Sequence, residues 1–227
     1  MSGRGTKIWL ASYPRSGNTY ARLLLRHHFG IDALPEGGAE RGQEFYECEL
    51  THGINTRSGT GVFAMKTHSL VKDGTPAIVL VRDGRDALVS SVHYQRRYWS
   101  ARGDFDGILA RMMDPSDVWG WRNSADWSAF YEHWLCATSG ATAIVRYEEL
   151  VCRPLEVIWN ALAGVLADLV VPRTLVPLAP FAEFHRQEPG FFRSGKIGAW
   201  KEEMSPELEA MFWHHHGKTM LRFGYQR

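Results

Sequence analysis

Cysteine is scarce in this chain: Cys48, Cys136 and Cys152 are the whole complement in 227 residues, and no two form a C-x-x-C pair. Scarcity and scatter exclude a disulfide framework and a thiolate zinc site, and they fit a reducing compartment. Long apolar runs are missing too. The first, Ile8-Trp9-Leu10-Ala11, has no longer run behind it, unlike a secretory leader. The most apolar window, Leu155 to Val171, is interrupted by Glu156, Asn160 and Asp168, and reads as a buried helix with its flank rather than a membrane span. A cytoplasmic protein without a membrane anchor is the expectation. Charge of one sign is also lacking, because 26 Lys and Arg against 25 Asp and Glu leave a formal net charge of +1. No global basic field exists to bind nucleic acid, so a polyanion must be held by local clusters of Lys and Arg. Neither an internal repeat nor a low-complexity segment is present.

What is present is ordinary in bulk. A hydrophobic content of 44% suits a globular protein, and the length suits one core, so residues 1–227 are read as a single domain. Strands are expected near Lys7–Tyr13, Val62–Lys66, Ala77–Arg82 and Ala143–Tyr147, with residues 31–61 mostly irregular. Helices are expected over Asn18–Phe29 (stopped by Gly30), from about Asp86, over Ser124–Thr138 and over Pro154–Leu166. A last one starts at the Ser205 cap with Pro206 behind it and runs to about Phe223. Apolar strands alternating with helices define an α/β fold: a mainly parallel central β-sheet flanked by helices, with ligands at the carboxyl ends of the strands. The Trp and Tyr residues of 94–134 are assigned mostly to packing, with a minority left to wall an acceptor pocket. His27-His28 is placed at a helix surface and edge. His214-His215-His216 diverge by about 100° per helical residue, so they do not converge on a metal.

The specific signals are four polar segments. Ser12-Tyr13-Pro14-Arg15-Ser16-Gly17-Asn18-Thr19-Tyr20 joins a strand to a helix, the arrangement that aims free N–H groups at an anion. It lacks the G-x-x-x-x-G-K-[ST] pattern of nucleoside triphosphatases. Lys66-Thr67-His68 closes the second strand, and a cation beside an imidazole suits a site where a proton leaves a nucleophile as negative charge builds elsewhere. Arg82 ends the third strand and Ser90 lies two helical turns on, so that the two can hold one terminal phosphate from two sides. Finally, Phe191-Phe192-Arg193-Ser194-Gly195-Lys196-Ile197-Gly198-Ala199-Trp200-Lys201 has the glycines and cations of a loop that closes over an anion.

In this order, these segments resemble the PAPS-dependent sulfotransferases, which use 3′-phosphoadenosine 5′-phosphosulfate (PAPS) as donor and leave 3′-phosphoadenosine 5′-phosphate (PAP). Tyr13–Thr19 is similar to the family's P-loop-like 5′-phosphosulfate-binding loop, Ile78–Ser90 to its 3′-phosphate element, Lys66-Thr67-His68 to its Lys-Thr-His segment and Arg193–Lys201 to its closing loop. Val145–Leu150 resembles the strand whose Tyr lies by the adenine. The resemblance implies that Arg15, Ser16, Gly17, Asn18 and Thr19 hold the 5′-phosphosulfate. Arg82, Ser90, Arg193 and Gly195, with Phe192 and Ser194 around them, would hold the 3′-phosphate end, while Tyr20 and Tyr147 flank the adenine. His68 would be the catalytic base, with Lys66 and Arg15 offsetting charge. No metal is implied. The acceptor would be a small molecule or carbohydrate bearing a hydroxyl. The chain departs from the family where Arg15 replaces a common Lys, Tyr20 a common Trp, Ser194 a cation and Ala199 an Asp. Two other readings stay open: a P-loop-like nucleotide kinase, and a catalytically inactive PAP(S)-binding relative.

Overall fold

The computed structural model describes residues 6–35, 61–71, 73–99, 101–113, 126–136, 140–168, 170–189 and 192–227. In chain order they form β1 (Thr6–Ser12), α1 (Asn18–Leu24) continued by a π-helical turn (Leu25–Phe29), β2 (Ala33–Pro35), β3 (Val62–Thr67), β4 (Ala77–Val81) and α2 (Gly84–Tyr98). Then come α3 (Phe105–Met113), α4 (Trp127–Cys136), β5 (Thr142–Arg146), α5 (Tyr147–Cys152), α6 (Pro154–Val165), α7 (Phe181–Gln187), α8 (Trp200–Glu203) and α9 (Pro206–Arg222). The chain falls into two compact units, Met1–Ser12 with Gly17–Val81 and Ala137–Leu178, and Tyr13–Ser16 with Arg82–Cys136 and Ala179–Arg227.

The first unit is built on a five-stranded sheet in the order β2-β3-β1-β4-β5, with every pairing parallel. The expected parallel α/β sheet is therefore present, with one strand more than the sequence suggested. Ala33–Pro35 lies in the stretch read as irregular; three residues are too few for a period to register, and its proline is tolerated because β2 is an edge. All five residues of β4 are buried, as a strand covered on both faces requires. Leu10 of β1 sits between Lys66 and Ile78, and Ala11 between Thr67 and Val79. After β1 the chain moves to β2 on one side of the sheet, whereas after β4 it continues to β5 on the other. The carboxyl ends of β1 and β4, Ser12 and Val81, thus mark the switch point at which open α/β sheets take ligands. The segments leaving those ends begin with Tyr13 and Arg82.

Ile8, Leu10, Leu24, Phe29, Ile78 and Leu162 join the core of this unit. Gly30 ends the first helix in the left-handed region (φ 67°), as expected. Two local readings are corrected. Tyr147 opens α5 instead of closing β5, because the ladder stops at Arg146. His28 is buried rather than at the surface: the extended chain at 173–176 packs over the helix end, and Thr174 O lies 3.0 Å from His28 Nδ1 while Val176 O lies 2.8 Å from His27 Nε2.

The second unit is helical in its described residues. Its aromatics pack as the sequence suggested: Trp127, Phe130, Tyr131 and Trp134 of α4 are buried, with Trp127 edge-on to Phe212 of α9. Trp119 and Trp121 lie outside the described residues. Ser205 Oγ accepts from Leu208 N at 3.3 Å and Pro206 takes the first turn of α9, as read. Of the three consecutive histidines on that helix only His216 is buried, where its Nδ1 lies 2.8 Å from Ser128 Oγ.

Candidate active site

In the sheet unit, the candidate chemistry gathers at the end of β1. His68 follows the last residue of β3, and its Nδ1 lies 2.6 Å from the Ser12 carbonyl oxygen. A carbonyl oxygen only accepts, so Nδ1 carries the hydrogen and the neutral ring has its lone pair on Nε2. The backbone of β1 therefore fixes both the tautomer and the ring direction. Asn18 stiffens the same corner: its Nδ2 donates to Leu10 O at 3.1 Å and to Ser12 Oγ at 3.2 Å. With its side chain committed to the turn, what Asn18 offers an anion is its backbone N–H. Lys66 sits one residue inside the end of β3, opposite Leu10.

Helix α1 begins at Asn18, with Gly17 as N-cap and no side-chain cap. Its first N–H groups lie at the positive end of the helix, where backbone amides have no intrahelical acceptor. Gly17 adopts φ 91°, and a Cβ there would come within 2.5 Å of Tyr147 Cδ2, so the Tyr147 ring lies directly on the loop. Tyr20 is half-buried; burial first and then Tyr147 nearby push its phenol pKa upward. The two tyrosines expected to flank an adenine are therefore neighbours.

In the helical unit, three predicted anion ligands meet. Arg15 adopts φ 65°, an uncommon conformation for a non-glycine residue, and this sets its side chain beside α2. Arg15 Nε donates to Ser90 Oγ at 3.2 Å, and the guanidinium lies 4.9 Å over the Tyr94 ring. Arg82, almost fully buried, donates to Arg15 O at 3.1 Å and to Lys196 O at 3.0 Å. Ser16 is fully buried, and its Oγ accepts from Tyr131 OH at 3.2 Å. Arg193 has a carboxylate partner: its Nη1 donates to Glu203 Oε1 at 2.7 Å, while Glu203 also accepts from His93 of α2. Burial alone would raise the Glu203 carboxyl pKa, but the hydrogen bonds from His93 and Arg193 outweigh it and hold it low. Phe192 is buried against Phe184, Ser194 is exposed with its Oγ accepting from Lys196 N, and Gly195 follows in the left-handed region (φ 61°).

Asp86 is the residue the sequence reading undervalued. It was expected only near the start of a helix, and its ion pair with Arg82 is loose, at 3.9 Å. Its carboxylate accepts from Gly198 N at 2.7 Å and from Trp200 N at 3.0 Å, so it anchors the C-terminal loop to α2. Burial pushes its pKa up, while Arg82 and those two amides pull the other way. Its position one turn after Arg82 was visible in the sequence; its backbone partners, 112 and 114 residues away, were not. Arg85 completes the frame, bonded to Asp83 Oδ2 at 2.8 Å with its guanidinium 3.8 Å over the Trp200 ring.

In the helical unit the candidate donors are hydroxyls and guanidiniums, which suit phosphate, and in the sheet unit two neighbouring tyrosines lie at the start of α1. Comparison with known proteins identifies the family. The model of the sulfotransferase domain matches residues 5–162, well over half of the chain, and the chain belongs to that family. The fold is similar to that of mouse sulfotransferase SULT7A1 complexed with PAP, with a TM-score of 0.62 and 19% identity over 95% of this chain and 84% of that one. It is equally similar (TM-score 0.62, 16% identity, 96% and 81% covered) to retinol dehydratase in complex with androsterone and the inactive cofactor PAP. No curated protein matches the sequence.

Proposed function

We propose that residues 1–227 act as one sulfotransferase domain that moves a sulfuryl group from PAPS to a hydroxyl of a small-molecule or sugar acceptor. The hydrogen bond from His68 Nδ1 to Ser12 O carries this reading, because it leaves Nε2 as the ring's proton acceptor. The fold's likeness to two PAP-bound enzymes supports the choice of nucleotide.

When bound, the donor supplies a sulfuryl group whose bond to the 5′-phosphate oxygen breaks as the acceptor oxygen bonds to sulfur, leaving PAP. His68 Nε2 takes the acceptor proton. Ser16, the N–H groups of Gly17, Asn18 and Thr19, and Arg15 hold the 5′ end, with Lys66 adding charge. Arg15 keeps its proton throughout, so it stabilises charge without acting as an acid. Arg82, Ser90, Arg193 and Gly195 would hold the 3′-phosphate, with Phe192 and Ser194 around them, and Tyr20 and Tyr147 would flank the base. Charge-assisted hydrogen bonds of this kind contribute roughly 1.5–3 kcal/mol each. No metal is needed, because guanidiniums and amides supply the positive field. The scarcity of cysteine supports a reducing, cytoplasmic setting.

Thermal unfolding with added nucleotide is the first test. PAP should raise the melting temperature and Mg-ATP should not; the reverse would identify a nucleotide kinase and remove the proposal. A panel of phenols, alcohols and sugars incubated with PAPS should then yield a product heavier by one sulfate. Binding of PAP with no transfer and no sulfate release would identify an inactive relative.

A further inference from the structure

Ser90, His93 and Arg97 recur on α2 at i, i+3 and i+7, so one side of the helix carries a hydroxyl, an imidazole and a guanidinium over about 10 Å of axis. His93, Arg96 and Arg97 line a groove of about 440 Å³ with Pro189 and Arg193. Arg193 reaches it from the C-terminal loop and is held there by Glu203, which also accepts from His93. Arg96 and Arg97 are exposed, and neither has an ion-pair partner among the described residues. Three guanidiniums thus line the groove, and of these Arg193 is paired with a carboxylate, Glu203.

The carboxyl end of a helix favours cations, and this accounts for Arg96 and Arg97 in the last turn of α2. Neither that preference nor the 3′-phosphate role given to Arg193 accounts for three guanidiniums lining one groove. Among the described residues its liners besides Pro189 are one imidazole and three guanidiniums, groups that suit an oxyanion. The groove is also larger than one tetrahedral oxyanion needs. We propose that it is a second oxyanion site, one that takes a phosphate- or sulfate-type group beyond the 3′-phosphate assigned to Ser90 and Arg193. The inference rests on the proposed nucleotide reading only for what occupies Ser90; the charge of the groove is independent of it. Two sources fit this chemistry, a free inorganic anion and a further phosphate on the 3′ side of an adenine nucleotide.

The test is calorimetric titration of inorganic pyrophosphate into the full chain saturated with PAP, in 0.15 M chloride, where the Debye length is about 8 Å. Wild type should bind one pyrophosphate per chain, and the R96E/R97E double variant should bind it about tenfold or more weakly. The pair R96Q/R97Q removes charge without reversing it and should weaken binding in the same direction by less. If adenosine 5′-phosphate 3′-diphosphate binds wild type more tightly than PAP and loses that advantage in the variant, the nucleotide is the source. If it gains nothing while pyrophosphate binds, the free anion is. Absence of pyrophosphate binding to wild type, or equal binding to wild type and both variants, overturns the proposal. Should PAP fail to bind while pyrophosphate still discriminates the variants, the nucleotide reading falls and the groove stands.

Discussion

The two compact units hold their candidate residues in different ways. In the sheet unit, His68, Ser12 and Asn18 are tied by neutral hydrogen bonds to each other and to the backbone of β1. In the helical unit, guanidiniums meet carboxylates: Arg82 with Asp86, Arg85 with Asp83 and Glu209, Arg193 with Glu203. The difference follows from the work proposed for each. A base must keep a neutral ring with a known lone pair, and a backbone carbonyl secures that without adding charge. A phosphate grip must hold several cations in place before the anion arrives, and carboxylates do so by limiting their mutual repulsion.

Breaking the charged network should have the larger consequence. Arg82→Met removes two hydrogen bonds to backbone carbonyls and leaves Asp86 buried without its cation. PAP affinity should fall about a hundredfold by calorimetry, and stability by about 3 kcal/mol in denaturant unfolding. Asp86→Ala tests the loop anchor alone. The amides of Gly198 and Trp200 lose their acceptor, so the KM for PAPS should rise about tenfold while kcat changes less. An unchanged KM would remove Asp86 from the account of nucleotide binding.

Perturbing the sheet unit gives a smaller, steric effect. Gly17→Ala places a methyl 2.5 Å from the Tyr147 ring at a backbone angle of φ 91°. Thermal and denaturant melts should register a loss of about 1–3 kcal/mol. The companion Tyr147→Ala should relieve part of the clash but not the backbone strain, so the double variant should recover only partly. Smallest of all is a pH effect at His216, which is not among the candidate ligands. Burial first, and His215 beside it, lower the His216 pKa from 6.5 to about 4, against the pull of Asp126. The unfolded chain then takes up a proton on this ring near 6.5, which the folded chain resists until about 4. Stability should therefore decline as pH falls through that window, and His216→Gln should flatten the decline in melts recorded across it.

Sequence and structure agree best where the signal is local. The four main strands, the Gly30 stop and the Ser205-Pro206 start are each set by residues within a turn of one another. The candidate site was legible as far as its residues lie in contiguous motifs, and Arg15 joins two of them by bonding to Ser90 and accepting from Arg82. What was hidden depends on distant backbone. The Ser12 carbonyl that fixes the His68 tautomer carries no side-chain mark, and the amides that Asp86 holds belong to a loop more than a hundred residues away. Glu203 pairing with Arg193 was hidden likewise, because a lone Glu in a short helix has no pattern to announce it.

His68→Ala offers the most direct trial of the central claim, measured as PAP affinity by calorimetry beside sulfuryl transfer from PAPS under single-turnover conditions. The account predicts an unchanged affinity with transfer slowed by about 10²–10⁴. Transfer at the wild-type rate in that variant would contradict it.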